Sequence, residues 1–342
     1  MVIYFMNDIF KYTPLNETEF QKIVSELGST NLPIEQTPIW GNFDNHIKGR
    51  KFLGSFKYTD SDDSLIAIAS ATLYKQKGRN WIWIKHGPVF KSTPDTQTIE
   101  KICDTFRHQF SNSQYKTSLF IRLSTPAKTN SLKTPFEHTM YDQTIIIDLN
   151  KTEDEILSDM NQSGRQGYRR AIKAGVKVHE VTEDRIKVFQ NQCYPILQET
   201  GKRGGFGVHP LAIYTTLLEC LSENARLYVA TLDKVIIAWA ITTEYNKRSL
   251  YYYGGSNILA RDTYAPYLLH VEIIKDMKKH GNLSYDFMGI AGKNYPSLAN
   301  VTQFKMKFSK NITDVTEAYD LPFSNMRYWL FSNLLRLKRK LR

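Results

Sequence analysis

The chain has 342 residues, 42% hydrophobic and 13% aromatic, and its 45 basic side chains against 34 acidic give a formal net charge of +11. That length exceeds what one hydrophobic core usually serves, so two domains of about 150 residues are expected; the charge points to a polyanion (tRNA, anionic lipid or a phosphorylated sugar precursor) without choosing among them. No apolar run reaches the roughly 18 residues of a membrane span, and Cys103, Cys193 and Cys220 lie too far apart for a zinc or redox motif and read as buried free thiols.

At the start, MVIYFMNDIFKYT lacks a basic leader and has Asp8 where a secretory signal would be apolar; a cytoplasmic protein is expected. Thr18 to Leu27 puts Phe20, Ile23, Val24 and Leu27 on one helical face, with Gly28 as its stop. Lys51 to Tyr58 and Leu65 to Tyr74 are strand-like around the turn run Thr59 to Ser64, which makes a hairpin. Trp81 to Lys85 alternates as a further strand, Thr98 to Phe110 is an amphipathic helix, and Ser118 to Leu123 is a buried-type strand. The first domain therefore reads as mixed α and β, built mainly from hairpins.

Tyr141 to Leu149 reads as the first strand of a second domain, with the boundary near residue 143. Thr152 with Glu155 forms a capping-box pattern, and Ser163 to Ala174 is helical up to Gly175, before a strand from Val176 to Val181. Arg165, Arg169 and Lys173 recur every four residues in that helix and share one face, either solvated or in contact with phosphates. Val188 to Glu199 is helical, and the glycine-rich basic loop Thr200 to Pro210 follows no strand, so it is no phosphate loop. Ala225 to Thr231, Val235 to Glu244 and Leu250 to Tyr253 are three strands joined by short turns, after which Gly254 and Gly255 permit close backbone approach. Tyr267 to Met277 has helical apolar spacing with Gly281 as its stop, and Tyr285 to Ile290 reads as a strand. In Gln303 to Phe308, QFKMKF, Lys305 sits between Phe304 and Phe308, and on spacing alone it reads as a surface lysine on a strand with both rings facing inward.

Four pieces of this half stand in a known order: Tyr252-Tyr253-Gly254-Gly255-Ser256, Tyr264-Ala265-Pro266-Tyr267, Tyr285-Asp286-Phe287-Met288-Gly289-Ile290, and Phe304-Lys305. Together they resemble the C-terminal half of the FemABX peptidyltransferases, tRNA-dependent enzymes that add amino acids to peptidoglycan stem peptides. Residues 164–176 resemble that family's R-x-x-x-(R/K)-x-A-x-K-x-G-V element, Pro33 to Trp40 its Q-x-P-x-W segment, and Gly87-Pro88-Val89 its G-P-V. Two positions depart: Asp44 stands where a lysine is expected four residues after the tryptophan, with Lys48 one turn later, and His209 stands where an arginine commonly precedes the proline. The resemblance covers about Val176 to Phe308 well and the first half in outline, and no 40-residue charged heptad stretch supplies the helical arm of some members.

The resemblance implies an α+β chain of two GNAT-type (acyl-CoA N-acyltransferase) domains with mixed, largely antiparallel sheets: 1–143, completed by a helix within 315–342, and 144–314. It implies transfer of an amino acid from aminoacyl-tRNA to the stem-peptide amine of a UDP-linked or lipid-linked peptidoglycan precursor, with no metal or nucleotide cofactor. Lys305 is the catalytic candidate, with Phe304 and Tyr253. A cationic lysine can stabilise a tetrahedral oxyanion or hold a phosphate, and becomes a base only when desolvated. On a regular strand Tyr252 and Tyr253 fall on opposite faces, so one of them can face the cleft, and Tyr253, next to the Gly254-Gly255 turn, is the better candidate for packing on a ligand. His209, Tyr214, Tyr252, Gly255, Ser256, Asp286, Arg165, Arg169 and Lys173 are the implied substrate contacts, Asp286 equally readable as structural. No Ser-His-Asp or Cys-His order is present, and an aminoacyl ester needs none because it is already activated. Two rivals stand beside this reading. A GNAT enzyme using acyl-coenzyme A would want a (Q/R)-x-x-G-x-(G/A) loop after Val235 to Glu244, where Asn246 to Ser249 offers no glycine; a non-catalytic RNA-binding protein is supported by charge alone.

From about Ser324, Met326, Leu330, Leu334, Leu337 and Leu341 recur at helical steps, widened by Trp329 and Phe331, and Arg336, Lys338, Arg339, Lys340 and Arg342 crowd the last seven positions. The stripe either packs on the first domain or rests on an anionic membrane surface.

Overall fold

The computed structural model describes residues 9–28, 32–76, 78–111, 115, 117–137 and 140–340. These form two compact units, one from the chain up to Met140 together with Thr316 onward, the other Tyr141–Val315.

The first unit opens with β1 (Lys11–Leu15) and α1 (Glu17–Leu27). Asn16 and Glu19 cap α1 reciprocally, at 2.9 and 3.0 Å, which starts the helix just ahead of Thr18. The sequence reading missed β1 because KYTPL is a half-exposed edge strand, where Pro14 is tolerated and no alternation is required. There follow α2 (Pro38–Asn45), β2 (Arg50–Thr59), β3 (Leu65–Gln76), β4 (Arg79–Trp83), β5 (Val89–Phe90), α3 (Thr96–Phe110) and β6 (Ser118–Ser124). Ile99, Ile102, Phe106 and Phe110 of α3 are buried against the sheet, each contributing about 1.5–3 kcal/mol.

The second unit comprises β7 (Gln143–Asp148), α4 (Glu153–Asp159), α5 (Gln162–Lys173), β8 (Lys177–Glu180), α6 (Arg185–Val188), α7 (Tyr194–Gly204), α8 (Leu211–Leu221), β9 (Ala225–Leu232), β10 (Val235–Tyr245), β11 (Arg248–Ser256), α9 (Ile258–Asp262), α10 (Ala265–Lys279), β12 (Ser284–Asp286), α11 (Ala299–Lys305) and β13 (Ile312–Asp314). A π-helical stretch, Phe189–Cys193, joins α6 to α7. The chain then returns to the first unit as β14 (Ala318–Pro322) and α12 (Asn325–Lys340).

Each unit holds one seven-stranded sheet. The first runs β1-β2-β3-β4-β6-β14 with β5 beside β3, the second β13-β7-β12-β11-β10-β9-β8. Both are antiparallel except for one parallel pair, β4 with β6 and β11 with β12. In the second unit α10 lays Leu268, Leu269, Ile273, Ile274 and Met277 into the main core.

Four expectations are corrected. Helix α7 continues past Glu199 to Gly204, so the glycine-rich loop is shorter; Gly201 packs where a β-carbon would meet Val208 at 2.6 Å, and Gly205, at φ +68°, caps the end. The strand read from Tyr285 to Ile290 stops at Asp286, whose carboxylate accepts the Met288 N–H at 2.6 Å and turns Met288 to φ +56°. Lys305 ends a helix, because Phe304 and Phe308 share a side in a helix as well as in a strand; their rings lie 5.3 Å apart. Finally, β11 carries a bulge opposite Ile241/Thr242: Tyr251 pairs with Thr242, Tyr253 with Ile241, and Tyr252 is left over.

Candidate active site

The parallel pairing of β11 with β12 covers only Arg248–Leu250 and Ser284–Asp286, yet β11 runs on to Ser256. The two strands therefore part, and Lys305 bridges the parting. Its Nζ donates to the carbonyl oxygens of Met288 at 3.0 Å and Gly289 at 2.7 Å, and lies 5.9 Å from the Tyr251 ring centre. Those carbonyls are aimed by the turn after β12, where Asp286 takes the Met288 N–H and the Thr144 hydroxyl. Two of the three ammonium protons are thus engaged. Lys305 is 5% exposed. Burial pushes its pKa down to about 8, with the Asp286 charge pulling the other way, and burial first pushes Asp286 up. An amine poised there is a cation at neutral pH and exchanges its proton easily just above it.

The surrounding wall is aromatic. Tyr251 stands edge-on to His270 at 4.5 Å, and His270 meets Phe287, Phe304 and Phe308 at 4.9–5.6 Å. Burial, then the Lys305 charge, push His270 down to about 3, so the imidazole is neutral; its Nδ1 lies 2.9 Å from the Tyr285 hydroxyl. Gly254 is required here, since a β-carbon would collide with the Tyr251 hydroxyl, and burial keeps that hydroxyl protonated with a pKa pushed up to about 12.

A second group gathers at the bulge. The rings of Tyr252 and Tyr253 lie 5.2 Å apart, so the bulge brings together two tyrosines that a regular strand would send to opposite faces. Tyr253 packs edge-on to Tyr214 at 4.7 Å and on His209 at 6.4 Å. The His209 backbone N–H donates to the Tyr214 hydroxyl at 3.3 Å, and burial raises the Tyr214 pKa to about 12. At the end of β11, Gly255 packs on Trp239, and the Ser256 carbonyl accepts from Arg203 at 2.8 Å and Thr200 at 3.1 Å. Three implied substrate contacts, His209, Tyr214 and Tyr252, thus gather with the catalytic candidate Tyr253 in one aromatic cluster, in which Tyr214 is buried, and Lys305, Phe304 and Asp286 form another group in the same unit.

The basic helix face divides. Arg165 donates to the carbonyls of Ser158 and Met160 and so closes the end of α4, whereas Arg169 and Lys173 are exposed. Gly164 lets α5 approach the segment after Lys305, where a β-carbon would meet the Lys307 carbonyl at 2.5 Å, and Gly167 lets it approach α10, where a β-carbon would meet the Tyr267 ring at 2.8 Å. In the first unit, Asp44 is buried and accepts from Arg50 at 2.9 Å and Thr72 at 2.8 Å, a structural pairing; Lys48 is exposed. Lys85 lies 4.8 Å over the Trp40 ring and 3.3 Å from Glu35.

Sequence reasoning missed Tyr251, His270, Tyr285 and Thr144. Its one available signal was His270, a polar residue on the apolar face of α10 between Leu269 and Val271. Among the described residues no three His, Cys, Asp or Glu side chains come together as a metal site.

Two units, each a largely antiparallel seven-stranded sheet with one parallel pair and accompanying helices, make the acyltransferase fold in tandem. The tandem GNAT protein of clavulanic acid biosynthesis superposes with a TM-score of 0.53 at 9% identity, over 92% of this chain and 99% of that one. FemX superposes with a TM-score of 0.77 at 15% identity, over 94% of this chain and all of that one (100%). Within that class the chain belongs to the FemAB family, whose profile matches residues 127–235 and 232–336. It is 28% identical over 92 residues to the lipid II:glycine glycyltransferase of Staphylococcus epidermidis, covering 26% of this chain and 21% of the relative. It is 29% identical over 94 residues to aminoacyltransferase FemB of the same organism, covering 27% and 22%. The matched stretch therefore spans about a fifth of these relatives.

Proposed function

We propose that the chain is a cytoplasmic aminoacyltransferase that moves an amino acid from aminoacyl-tRNA to the stem-peptide amine of a peptidoglycan precursor. Family membership and the names of the relatives support the reaction class. The observation that carries the residue assignment is Lys305, a buried cation at the parting of β11 and β12. In this reading the amine attacks the ester carbonyl, and the oxyanion that forms is stabilised by the Lys305 ammonium. Collapse breaks the bond to the ribose oxygen, which leaves with a proton while the attacking amine gives one up. Phe304 and Tyr253 shape the acceptor path, and Tyr214, Tyr252, His209, Gly255 and Ser256 contact the precursor. Asp286 acts by holding the turn that aims the Met288 and Gly289 carbonyls. Arg169 and Lys173 meet phosphates of tRNA or precursor.

The rival use of acyl-coenzyme A has only the shared fold behind it, and β10 leads into β11 by the tight turn Asn246-Lys247, both at positive φ. Purified protein given charged tRNA and either UDP-linked or lipid-linked precursor should transfer the amino acid. Transfer that depends on acetyl-coenzyme A, or tRNA binding with no transfer to either precursor, would sink the proposal.

A further inference from the structure

The face of α12 that packs is not its apolar stripe. Tyr328 and Ser332 are buried, Tyr328 donating to Asp320 at 2.8 Å, and Phe331 meets the Phe136 ring at 5.7 Å. Met326, Trp329, Leu330, Leu334 and Leu337 are instead 70%, 62%, 49%, 57% and 58% exposed. At about 100° per residue these five span an arc of about 140°, centred opposite the packing face. Arg327 and Arg336 are exposed, and their positions fall at the two edges of that arc. Residues 324–342 contain Arg327, Arg336, Lys338, Arg339, Lys340 and Arg342 and no acidic residue.

We infer that this face of α12 lies on an anionic lipid bilayer surface. A continuous aliphatic and tryptophan stripe bordered by cations matches the boundary between acyl chains and anionic head groups. Each basic residue near such a surface strengthens attraction about fivefold. RNA phosphates would satisfy the cations but give five exposed apolar side chains nothing to bury against, so lipid is favoured. The inference rests on α12 alone and stands or falls apart from the transferase reading. Among the described residues no helix is long and apolar enough to cross a membrane.

The protein is sedimented with vesicles of phosphatidylglycerol and phosphatidylcholine, and with phosphatidylcholine alone. Binding to the first only is expected. Leu330→Glu/Leu334→Glu should abolish it without altering the melting profile, since both face away from the unit. Arg336→Gln/Lys338→Gln/Arg339→Gln/Lys340→Gln should weaken it about a hundredfold or more. Anionic vesicles should also blue-shift the tryptophan emission of the parent protein, and Trp329→Phe should remove that shift whether or not the double variant folds. Equal binding to both vesicles, binding to neither, or a shift that survives Trp329→Phe overturns the inference. So does a dimer in solution that Leu330→Glu/Leu334→Glu dissociates, or a quadruple variant that loses tRNA binding but keeps vesicle binding.

Discussion

Lys305 holds its charge at neutral pH under conditions that oppose it. Burial disfavours the ammonium, while two carbonyls, at 3.0 and 2.7 Å, and the Asp286 carboxylate favour it. If that charge stabilises the oxyanion, Lys305→Ala should lower kcat by about two to three orders of magnitude with the fold retained; near-normal turnover in a folded variant would remove Lys305 from the mechanism. The charged form is lost as pH rises through about 8, so kcat should fall above that pH. Lys305→Arg, whatever its residual rate, should lack this descending limb, because guanidinium stays charged there. A profile identical in both would show that the limb belongs to the substrate. Stability carries the opposite sign: between about pH 8 and 10.4 the unfolded chain holds a proton that the folded one has released, so the folded state gains as pH rises through that window. Urea midpoints should accordingly move in favour of the parent, relative to Lys305→Met, between pH 8 and 10.

At the scale of elements, β11 depends on a glycine and a bulge. Gly254→Ala would drive the Tyr251 hydroxyl off its place, costing about 1–3 kcal/mol in urea unfolding and lowering turnover, whereas Gly207→Ala, with open space around it, should do neither. Equal behaviour of the two variants would contradict the packing argument. On α5, Arg169→Gln/Lys173→Gln should flatten the salt dependence of tRNA or precursor binding by up to about one unit per contact; Arg165→Gln should act on stability instead, since its donors close α4. Most elements were legible because their apolar residues follow one period, as Phe20 and Ile23 do in α1 and Leu268 to Met277 do in α10. The QFKMKF segment was not, because four-residue spacing of its rings fits both a strand and a helix. The bulge at Tyr252 was hidden for another reason: register belongs to a pair of strands, and no residue of YYYGG announces it. The motif order still pointed to Lys305, Phe304 and Tyr253, while the buried partners Thr144 and Tyr285 come from strands whose pairing no local pattern reveals.

At the scale of the whole molecule, the second unit is one continuous stretch, whereas the first is closed only when β14 returns to pair with β6. That return is fastened by Asp320, which accepts from Arg122 at 2.7 and 3.0 Å and from Tyr328 at 2.8 Å, with both ion-pair partners buried. Nothing local in the sequence marks Arg122, inside SLFIRLS, as the partner of an aspartate 198 positions later. Removing one member of a buried pair leaves the other uncompensated, so Arg122→Met should cost about 3–5 kcal/mol. Hydrogen exchange should localise the loss: amides of β6 and β14 become labile first, while those of β9 and β10 keep their protection. The effect should also depend on pH. Burial already pushes the Asp320 pKa up, and without Arg122 it rises further, so the folded variant takes up a proton more readily than the unfolded chain. The difference from the parent should therefore shrink as pH falls from 7 toward 4. A loss of protection spread evenly over both units, or a difference as large at pH 4 as at pH 7, would mean that this ion pair does not hold the first unit closed.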